Sequence, residues 1–337
     1  MEIENDCKKY NFIEVCAGCG GLSSGLIEAG LNPILLNDNN KDCCETLKIN
    51  HANVKIKCCS LTELNVDKYK NKIDLLTGGV PCQSFSQSGM RKGFDDSRGL
   101  LMLKFIEMIH KLQPKIFMIE NVKGLKTHNN GETLNEIIDK LNETKLYNVT
   151  YKILNAVNYN VPQKRERIII IGILKKYDTE FVFPSKNDKI LTLKKVLKDV
   201  PESECSQYSE KKKKLFELIP QGGCWINLPI KKQKEYLGNS YKSGGGKRGI
   251  LRRLSMNEPS LTLLCSPSQK QTERCHPIET RPLSIREYAR IQTFDDTYNF
   301  YGSISSKYKQ IGNAVPVKFA YKLGKSIIKC LRKCDGD

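Results

Sequence analysis

The chain has 337 residues, 39% of them hydrophobic and 27% charged, which fits one large globular domain and a smaller one. No apolar run approaches the roughly 18 residues of a membrane span, and residues 1–9 carry no secretion signal, so a cytoplasmic protein without membrane contact is expected. The formal net charge of +18 favours a polyanionic partner, although many lysines could also be plain solvated surface.

The 14 cysteines are predicted to be reduced thiols, because the chain shows neither an export signal nor regular cysteine spacing. Cys16 and Cys19 have CxxC spacing, but they stand inside a glycine-rich turn. No second such pair follows at the spacing of a zinc ribbon. The sequence therefore predicts no metal site.

Short apolar runs alternate with amphipathic stretches over the first half of the chain. The apolar runs are Phe12–Cys16, Pro33–Leu36, Ile73–Leu76, Ile116–Ile119 and Ile168–Ile173, and the helix-like stretches between them are Leu22–Ala29, Lys41–Asn50, Leu100–Leu112 and Thr133–Leu141. Strand–helix–strand repetition of this kind predicts an α/β fold with a mostly parallel sheet and helices on both faces.

The pattern changes after Pro184. Residues 185–280 are rich in Lys, Ser, Gly and Pro and have weak periodicity, which predicts a second, irregular and basic domain. Two amphipathic stretches follow, Ser284–Ile291 and Val315–Leu331. Candidate phosphate contacts in the basic region are Lys211–Lys214, Lys231, Lys232, Lys247, Arg248, Arg252 and Arg253.

The first apolar run leads into a glycine-rich turn at Cys16–Gly21, and a helix-like stretch follows. Glycine tolerates positive φ and lets a ligand approach the backbone closely, but this pattern alone is typical of nucleotide sites in general. Asp38 ends the next apolar run, where a carboxylate can accept hydrogen bonds from ribose hydroxyls. A plain turn with a helix N-cap would use the same residues equally well.

Cys82 follows a buried run and two glycines, Gly78 and Gly79, on a polar loop. A thiol at the end of a strand, in a cleft, is placed for nucleophilic attack, whereas an arbitrary cysteine would be inert. Glu120 ends the next apolar run, so it is expected at the same sheet edge as Cys82, as a proton donor or as a solvated strand-end carboxylate.

Arg165 and Arg167 alternate along the chain before the last apolar run. Side chains two residues apart in a strand point to one face, so both guanidinium groups are expected to point the same way. They could grip a base oxygen or a phosphate, or they could form salt bridges on a solvated edge.

Together these residues resemble the cytosine-5 DNA methyltransferase family, and the resemblance runs nearly end to end. It is carried, in the family's order and spacing, by six segments: Glu14–Gly21, Gly79–Gln83, Glu120–Val122, Gln163–Arg167, Arg281–Gln292 and Gly312–Pro316. The resemblance implies a Rossmann-like S-adenosylmethionine-dependent methyltransferase sheet with a smaller, irregular, mostly β target-recognition domain. It implies a catalytic domain of residues 1–184 and 306–337, and a target-recognition domain and hinge of residues 185–305.

The resemblance also implies roles for individual residues. The catalytic residues would be Cys82, Glu120, Arg165 and Arg167. The cofactor would contact Cys16, Gly18, Gly20, Gly21, Asp38, Asn39, Ser60, Leu61, Pro81, Leu101, Asn313 and Val315. The substrate would be positioned by Gln83, Ser86, Asn121, Gln163 and Thr262. The reaction implied is methylation of carbon 5 of a flipped-out cytosine in double-stranded DNA, through a covalent adduct with Cys82.

Some positions depart from the family's pattern without touching Cys82 or Glu120. Glu14 stands in place of the usual aspartate, and Cys16 replaces the aromatic residue that commonly stacks on adenine. Ser60 replaces an acidic partner of the adenine amine. The resemblance therefore implies weaker cofactor binding than is typical of the family.

Two related functions remain as alternatives. The tRNA cytosine-5 methyltransferases of this fold usually carry Cys-Phe-Thr, which none of the cysteines of the basic region provides. A non-catalytic DNA-binding homologue would be expected to lose the motif around Cys82 or Glu120, and both are intact. The resemblance further implies a monomer in a bacterial cytoplasm near the nucleoid, or in a host cell if the source is viral. A restriction endonuclease could act at the same DNA site without a stable complex.

Overall fold

The computed structural model describes residues 9–81, 97–242, 249–269 and 273–336. The chain divides into two compact units. Unit 1 comprises the chain up to Asn155, Glu166–Lys186 and the chain from Val317; unit 2 comprises Ala156–Arg165 and Asn187–Pro316. Residues 306–316 therefore belong to unit 2 by their contacts. The predicted division into catalytic and target-recognition domains is a functional one and stays a prediction.

The regular elements follow in chain order. The strands are β1 (Asn11–Val15), β2 (Asn32–Asp38), β3 (Ile56–Cys58), β4 (Leu75–Gly78), β5 (Ile116–Val122), β6 (Tyr147–Asn155), β7 (Gln163–Lys164), β8 (Glu166–Leu174) and β9 (Ser260–Leu261). The α-helices are α1 (Gly21–Ala29), α2 (Lys41–Asn50), α3 (Ser97–Leu112), α4 (Glu132–Asn142), α5 (Leu193–Val196), α6 (Glu210–Phe216), α7 (Ile230–Leu237), α8 (Ile285–Ile291), α9 (Ile304–Asn313) and α10 (Val317–Asp335).

A seven-stranded sheet forms the centre of unit 1, in the order β3-β2-β1-β4-β5-β8-β6. Neighbouring strands are parallel from β3 to β5, and β8 runs antiparallel to both β5 and β6. The mostly parallel α/β sheet predicted from the sequence is confirmed. Its apolar runs are buried because helices cover a parallel sheet, and Ile168–Ile171 of β8 are fully buried.

Strand β6 was not predicted. It lies at the edge of the sheet, and Asn148, Tyr151 and Lys152 are exposed, so it lacks the continuous apolar run of an inner strand. The sequence of an edge strand with one solvated face mixes polar and apolar residues, so it is hard to recognise as a strand.

Helices α1 and α10 pack closely through glycines. A Cβ atom added at Gly25 would overlap the carbonyl oxygen of Val317 and the Cβ of Ala320, and one at Gly324 would lie 2.6 Å from the Cβ of Ala29. Helix backbones approach this closely only where side chains are absent. The last helix thus packs on the first helix of unit 1.

Gly25→Ala is expected to destabilise the protein by about 1–3 kcal/mol, because the clash at Gly25 is with backbone and a rotamer change cannot relieve it. Urea unfolding at neutral pH would measure the loss. Gly124→Ala is the matched control, since its added Cβ would meet nothing within 4 Å. Equal stability of the two variants would contradict the close packing of α1 on α10.

Unit 2 is irregular, as predicted, but it is not mostly β. Its described residues contain one two-stranded sheet, in which β7 pairs with β9, together with isolated bridges and the short helices α5 to α9. An aromatic and aliphatic cluster around Phe216, Tyr208 and Leu251 forms a core of its own. The weak periodicity of residues 185–280 reflects these short helices and loops, and the mostly β domain that the family resemblance implied is wrong for the described residues. Among the described residues no helix is long and apolar enough to cross a membrane.

Candidate active site

The carboxyl ends of β1, β4 and β5 lie side by side in unit 1. Val15 pairs with Gly78, and Gly78 pairs with Ile119, so the glycine-rich turn, Gly79 and Glu120 meet at one edge of the sheet. Parallel strands bring their carboxyl ends to one edge, which is where open α/β sheets bind ligands. Cys82, Gln83 and Ser86 lie outside the described residues, so their predicted roles stay predictions.

Glu120 forms a close ion pair with Arg167. The Arg167 Nε atom lies 2.8 Å from Glu120 Oε1, and each side chain is 11% exposed. Arg167 stands opposite Val122 on the antiparallel strand β8, so it reaches Glu120 diagonally across the pair of strands. The ion pair therefore fixes one oxygen of the carboxylate.

The other oxygen of Glu120 lies next to Gly79. A Cβ atom added at Gly79 would lie 3.4 Å from Glu120 Oε2, which places this oxygen in van der Waals range of position 79. Gly79 stands three positions before Cys82 in the sequence. Glu120 therefore lies beside the segment that leads to Cys82, and the expected neighbourhood of Glu120 and Cys82 itself stays a prediction.

Asn121 holds the segment that follows Gly79 in place. Its Nδ2 atom donates a buried hydrogen bond of 2.9 Å to the carbonyl oxygen of Val80, which is itself fully buried. Pro81, the next residue, is exposed. Asn121 was predicted to position the substrate, and its contact here is with the backbone that precedes Cys82. It can therefore act on the site by holding that backbone in place.

Asp38 ties the glycine-rich turn to the end of β2. Its Oδ2 atom accepts a hydrogen bond of 2.8 Å from the backbone N–H of Gly18, and its Oδ1 atom accepts one of 2.8 Å from the N–H of Asn40. The N-cap of α2 is Asn40, whose side chain accepts from Cys43. Positive φ at Cys16 and at Gly18 bends the turn. Asp38 thus shapes the ligand-facing turn and is not the cap.

Two buried polar atoms at this edge were missed by the sequence analysis. Glu14 Oε2 and Thr77 Oγ1 are buried and make no hydrogen bond within the described ranges. The two residues pair in register on β1 and β4, so their side chains share one face of the sheet. The signal available in the sequence was a carboxylate inside an apolar strand, directly before the glycine-rich turn.

The pKa of Glu14 is raised from 4.5 to about 8, chiefly by burial and in addition by the negative charges of Asp38 and Glu120, while hydrogen bonds from Ser23 oppose the shift. This edge of the sheet therefore has more carboxyl groups than positively charged partners for them. Burial likewise raises the pKa of the Cys16 thiol to about 12, so this cysteine stays protonated. A ligand with positive charge would satisfy the unpartnered oxygen of Glu14.

Stability is expected to fall as the pH rises from about 5 to about 9. In this window the carboxyl of Glu14 ionises in the unfolded chain but stays protonated in the fold until its raised pKa of about 8 is passed. Glu14→Gln should remove this dependence, and it should stabilise the protein by about a few kcal/mol more at pH 9 than at pH 5. Urea unfolding at both pH values would measure it.

The exposed Glu63 provides the matched control for this experiment. Glu63→Gln should change the free energy of unfolding by similar small amounts at both pH values. If Glu14→Gln behaved in the same way, the raised pKa of Glu14 would be wrong.

The remaining predicted cofactor residues of unit 1 are described as follows. Ser60 shares a hydrogen bond of 2.7 Å with the Thr62 hydroxyl, and Asn39 is exposed beside Asp38. Leu61 and Leu101 pack with the apolar core under the sheet. Gly20 and Gly21 begin α1, where Gly20 has a φ of 85°. These positions surround the turn and the ends of β2 and β3, and their contacts with a cofactor stay predictions.

Gln163 is part of a buried network inside unit 2. Its Nε2 atom donates to Gln292 Oε1 at 2.8 Å, and its Oε1 atom accepts from the N–H of Leu263 at 3.0 Å. Gln292 in turn donates to the carbonyl oxygens of Ile311 and Ala314. Gln163 is fully buried, so the substrate contact predicted for it does not appear in this arrangement. The network instead joins three of the segments that carried the family resemblance.

Arg165 and Arg167 have different partners, contrary to the common target expected from their alternation. The guanidinium group of Arg165 donates to the carbonyl oxygens of Leu263, Gly312 and Asn313 in unit 2. Only 1% of Arg165 is exposed. The chain leaves its strand conformation at Arg165, between β7 and β8, so the alternation rule does not apply. The contacts of Arg165 support a positioning role in unit 2.

Thr262, Asn313 and Val315 complete the predicted site residues of unit 2. The Thr262 hydroxyl donates to the carbonyl oxygen of Lys164 at 2.7 Å. The thiol of Cys265 donates to Asn313 Oδ1 at 3.1 Å, and Val315 is buried. Thr262 therefore fixes the β7–β9 pairing, and the roles predicted for all three toward substrate or cofactor stay predictions.

Arg253 is not the phosphate contact that the sequence suggested. It is 5% exposed, and its guanidinium group donates to the carbonyl oxygens of Ile219 and Phe216 and to the Thr280 hydroxyl. A buried guanidinium without a carboxylate can be satisfied by several carbonyls, and Arg253 organises the core of unit 2 in this way. Clusters of three or more potential metal ligands are absent from the described portion of the chain.

Solved structures share the fold of this chain. A crystal structure described as a DNA modification methyltransferase encoded within a prophage (E. coli) has a TM-score of 0.72 at 24% identity, covering 96% of this chain and 100% of the other. Spodoptera frugiperda DNMT2, crystallised as a mutant, has a TM-score of 0.68 at 17% identity, covering 95% and 100% of the two chains.

The chain belongs to the C-5 cytosine-specific DNA methylase family, which it matches over residues 10–329. It is 49% identical to the type II methyltransferase M.Sau96I of Staphylococcus aureus, over 97% of this chain and 77% of the relative. It is 45% identical to M.Eco47II of Escherichia coli, over 96% and 80% of the two chains. The protein is therefore a DNA cytosine-5 methyltransferase, as the sequence resemblance implied.

Proposed function

We propose that this protein transfers a methyl group from S-adenosylmethionine to carbon 5 of a cytosine flipped out of double-stranded DNA, with Cys82 as the covalent nucleophile. The observation that carries the proposal is the carboxylate of Glu120, held by Arg167 and placed beside Gly79 at the strand edge that leads to Cys82. A fixed carboxylate next to a strand-end thiol is the arrangement that addition to a pyrimidine ring requires.

The residues at the edge fit S-adenosylmethionine. This cofactor carries positive charge on its sulfonium and ammonium groups, and the unpartnered Glu14 Oε2 offers a buried acceptor for such charge. A Cβ atom added at Gly18 would meet nothing within 4 Å, so there is open space above the turn that Asp38 holds. Glu14, Gly18 and Asp38 would hold the cofactor. When bound, it supplies the methyl group as an electrophile.

The protein's own residues carry the remaining steps. The Cys82 thiolate attacks carbon 6 of the flipped cytosine and forms a carbon–sulfur bond, while Glu120 delivers a proton to N3, the ring nitrogen that is conjugated through carbon 4 with the carbon 5–carbon 6 double bond. The electron pair released onto carbon 5 makes that carbon nucleophilic toward the methyl group. Loss of the carbon-5 proton to a base then restores the double bond, expels the Cys82 thiolate, and returns the proton from the ring nitrogen.

Arg167 and Asn121 support these steps through their contacts with Glu120 and Val80. The Arg167 ion pair keeps Glu120 Oε1 in place, which leaves Oε2 beside Gly79. The hydrogen bond from Asn121 holds the backbone of Val80, which stands two residues before Cys82 in the sequence. Flipping the base out of the duplex costs about a few kcal/mol, which contacts to the phosphates must offset.

The biological role follows from the relatives. The similar proteins are named type II methyltransferases, and we infer that this chain likewise protects DNA sites from a cognate restriction endonuclease. The two enzymes would act on the same site without forming a stable complex. We further infer a monomer working in the cytoplasm, where such DNA is found.

The test is transfer of labelled methyl groups to mixed-sequence duplex DNA and, in parallel, to tRNA. We expect label in the duplex, recovered as 5-methylcytosine, and sequencing of the product would give the recognition site. Label in tRNA alone would overturn the proposal in favour of a tRNA methyltransferase. Absence of label in both, with DNA still bound, would indicate a non-catalytic DNA-binding homologue.

A further inference from the structure

Helix α10 presents a row of lysines on the face that does not pack against α1. Lys322, Lys325, Lys329 and Lys333 recur at three- or four-residue intervals, which places them on one side of the helix. They line a cavity of about 340 Å³ whose opposite wall is the extended segment 180–185. All of these residues belong to unit 1. We call this surface the lysine groove.

The charge of the lysine groove is uncompensated. None of its four lysines forms an ion pair with any residue in the described ranges, and Glu180 is the only carboxylate that lines the cavity. Lys318, one turn earlier on the same helix, is by contrast paired with Glu28. Clustering of like charges costs free energy in the free protein, so such a groove favours a polyanion that would neutralise it.

The spacing of the lysines suits a regular polyanion. With a rise of about 1.5 Å per residue, Lys325, Lys329 and Lys333 stand about 6 Å apart along the helix, and the whole row spans about 17 Å. One strand of a DNA duplex carries a phosphate per about 3.4 Å of its axis, so the row covers about five phosphates. A single small anion would leave most of this row unused.

The apolar wall of the lysine groove supports extended lysine side chains. Val182 is 61% exposed and, with Phe183, provides an apolar wall for the lysine stems. Lysine stems pack along such surfaces while the ammonium groups reach solvent. The hydroxyls of Ser185 and Ser326 also line the cavity and could donate to phosphate oxygens.

We propose that the lysine groove is a second DNA-binding surface, which contacts the phosphate backbone of a duplex without reading its sequence. It would hold the enzyme on non-specific DNA between target sites. The inference relies on the DNA substrate of the proposed function, but it concerns affinity for DNA and makes no use of the chemistry at Cys82.

The experiment compares K322Q/K325Q/K329Q/K333Q with the matched control K68Q/K70Q/K72Q/K145Q, which removes the same charge from exposed lysines elsewhere in unit 1. The probe is a duplex of defined sequence that the enzyme does not methylate, and its Kd is measured at several salt concentrations. We expect the slope of log K against log salt to fall by as much as about 3 to 4 in the groove variant, because each lost phosphate contact removes about 0.9. The control should keep a slope close to that of the wild type.

Two further measurements separate charge from structure. The fourfold Lys→Arg variant of the groove should restore the slope, since it keeps the charge. The rate of methyl transfer at saturating concentrations of a short target duplex should be unchanged in the Lys→Gln variant. A groove variant with the slope of the control would overturn the inference. A reduced slope in a protein without methyl transfer would leave it standing and overturn only the proposed function.

Discussion

Cys82→Ala is expected to reduce methyl transfer to duplex DNA by more than about 10³-fold, because the reaction then lacks the atom that makes carbon 5 nucleophilic. Binding of DNA and of S-adenosylmethionine should persist, since neither depends on the thiol. The measurement is incorporation of labelled methyl groups, alongside the Kd for a duplex that contains the target site. Cys334→Ala, a half-buried cysteine of α10, is the control and should retain activity.

A second measurement detects the covalent step itself. In a duplex whose target cytosine carries fluorine at carbon 5, no proton can leave that carbon after methyl transfer, so the bond to Cys82 should persist. A denaturing gel would show a protein–DNA adduct with the wild type and none with Cys82→Ala. Full activity of Cys82→Ala, or an adduct that survives the substitution, would contradict the assignment.

Glu120→Gln is expected to lower the turnover of methyl transfer by about 10²- to 10⁴-fold, because glutamine keeps the shape of the side chain but cannot deliver a proton to the ring nitrogen. It also loses the charge that Arg167 faces at 2.8 Å. The effect should appear in kcat at saturating DNA, and in the rate of the adduct formation described above.

Glu166→Gln provides a matched control for Glu120. Glu166 lies on β8, next to Arg167, but it pairs with Lys123 at an exposed position, where ion pairs contribute little. Its substitution should leave kcat close to that of the wild type. Equal losses in the two variants would show that charge along β8, and not the proton of Glu120, is what the reaction needs.

The network of Gln163, Gln292 and Arg165 changes how the family segments are understood. By resemblance, Arg165 was predicted to be catalytic and Gln163 to position the substrate. The polar atoms of these residues and of Gln292 are instead directed at backbone carbonyls and at each other inside unit 2. Buried polar groups need such partners, since leaving one unsatisfied costs about 1–3 kcal/mol. A motif that resembles the family's pattern can therefore serve the architecture of a unit as well as its reaction.

The amino-acid sequence alone was enough to predict the sheet and the edge at which the candidate site residues lie. Apolar runs such as Ile116–Ile119 and Ile168–Ile173 become inner strands because they are buried on both faces, and that burial requires a continuous apolar sequence. Gly18 marked the turn that needs a positive φ, and Gly79 marked the segment that lies beside Glu120. The position of Glu120 beside the segment leading to Cys82 followed from strand ends alone.

The partners of the polar residues could be found only from the packing of the chain in three dimensions. Arg165 and Arg167 are two residues apart, yet one donates to carbonyls of unit 2 and the other to Glu120, because the chain changes units between them. Glu14 became a candidate cofactor-binding residue because its side chain is buried and one of its oxygens has no partner. Its surroundings are formed by Thr77, Asp38 and Glu120, which lie on other strands. The periodicity of a segment indicates which of its faces is buried in the core. The partners of a buried charge, in contrast, come from distant parts of the chain.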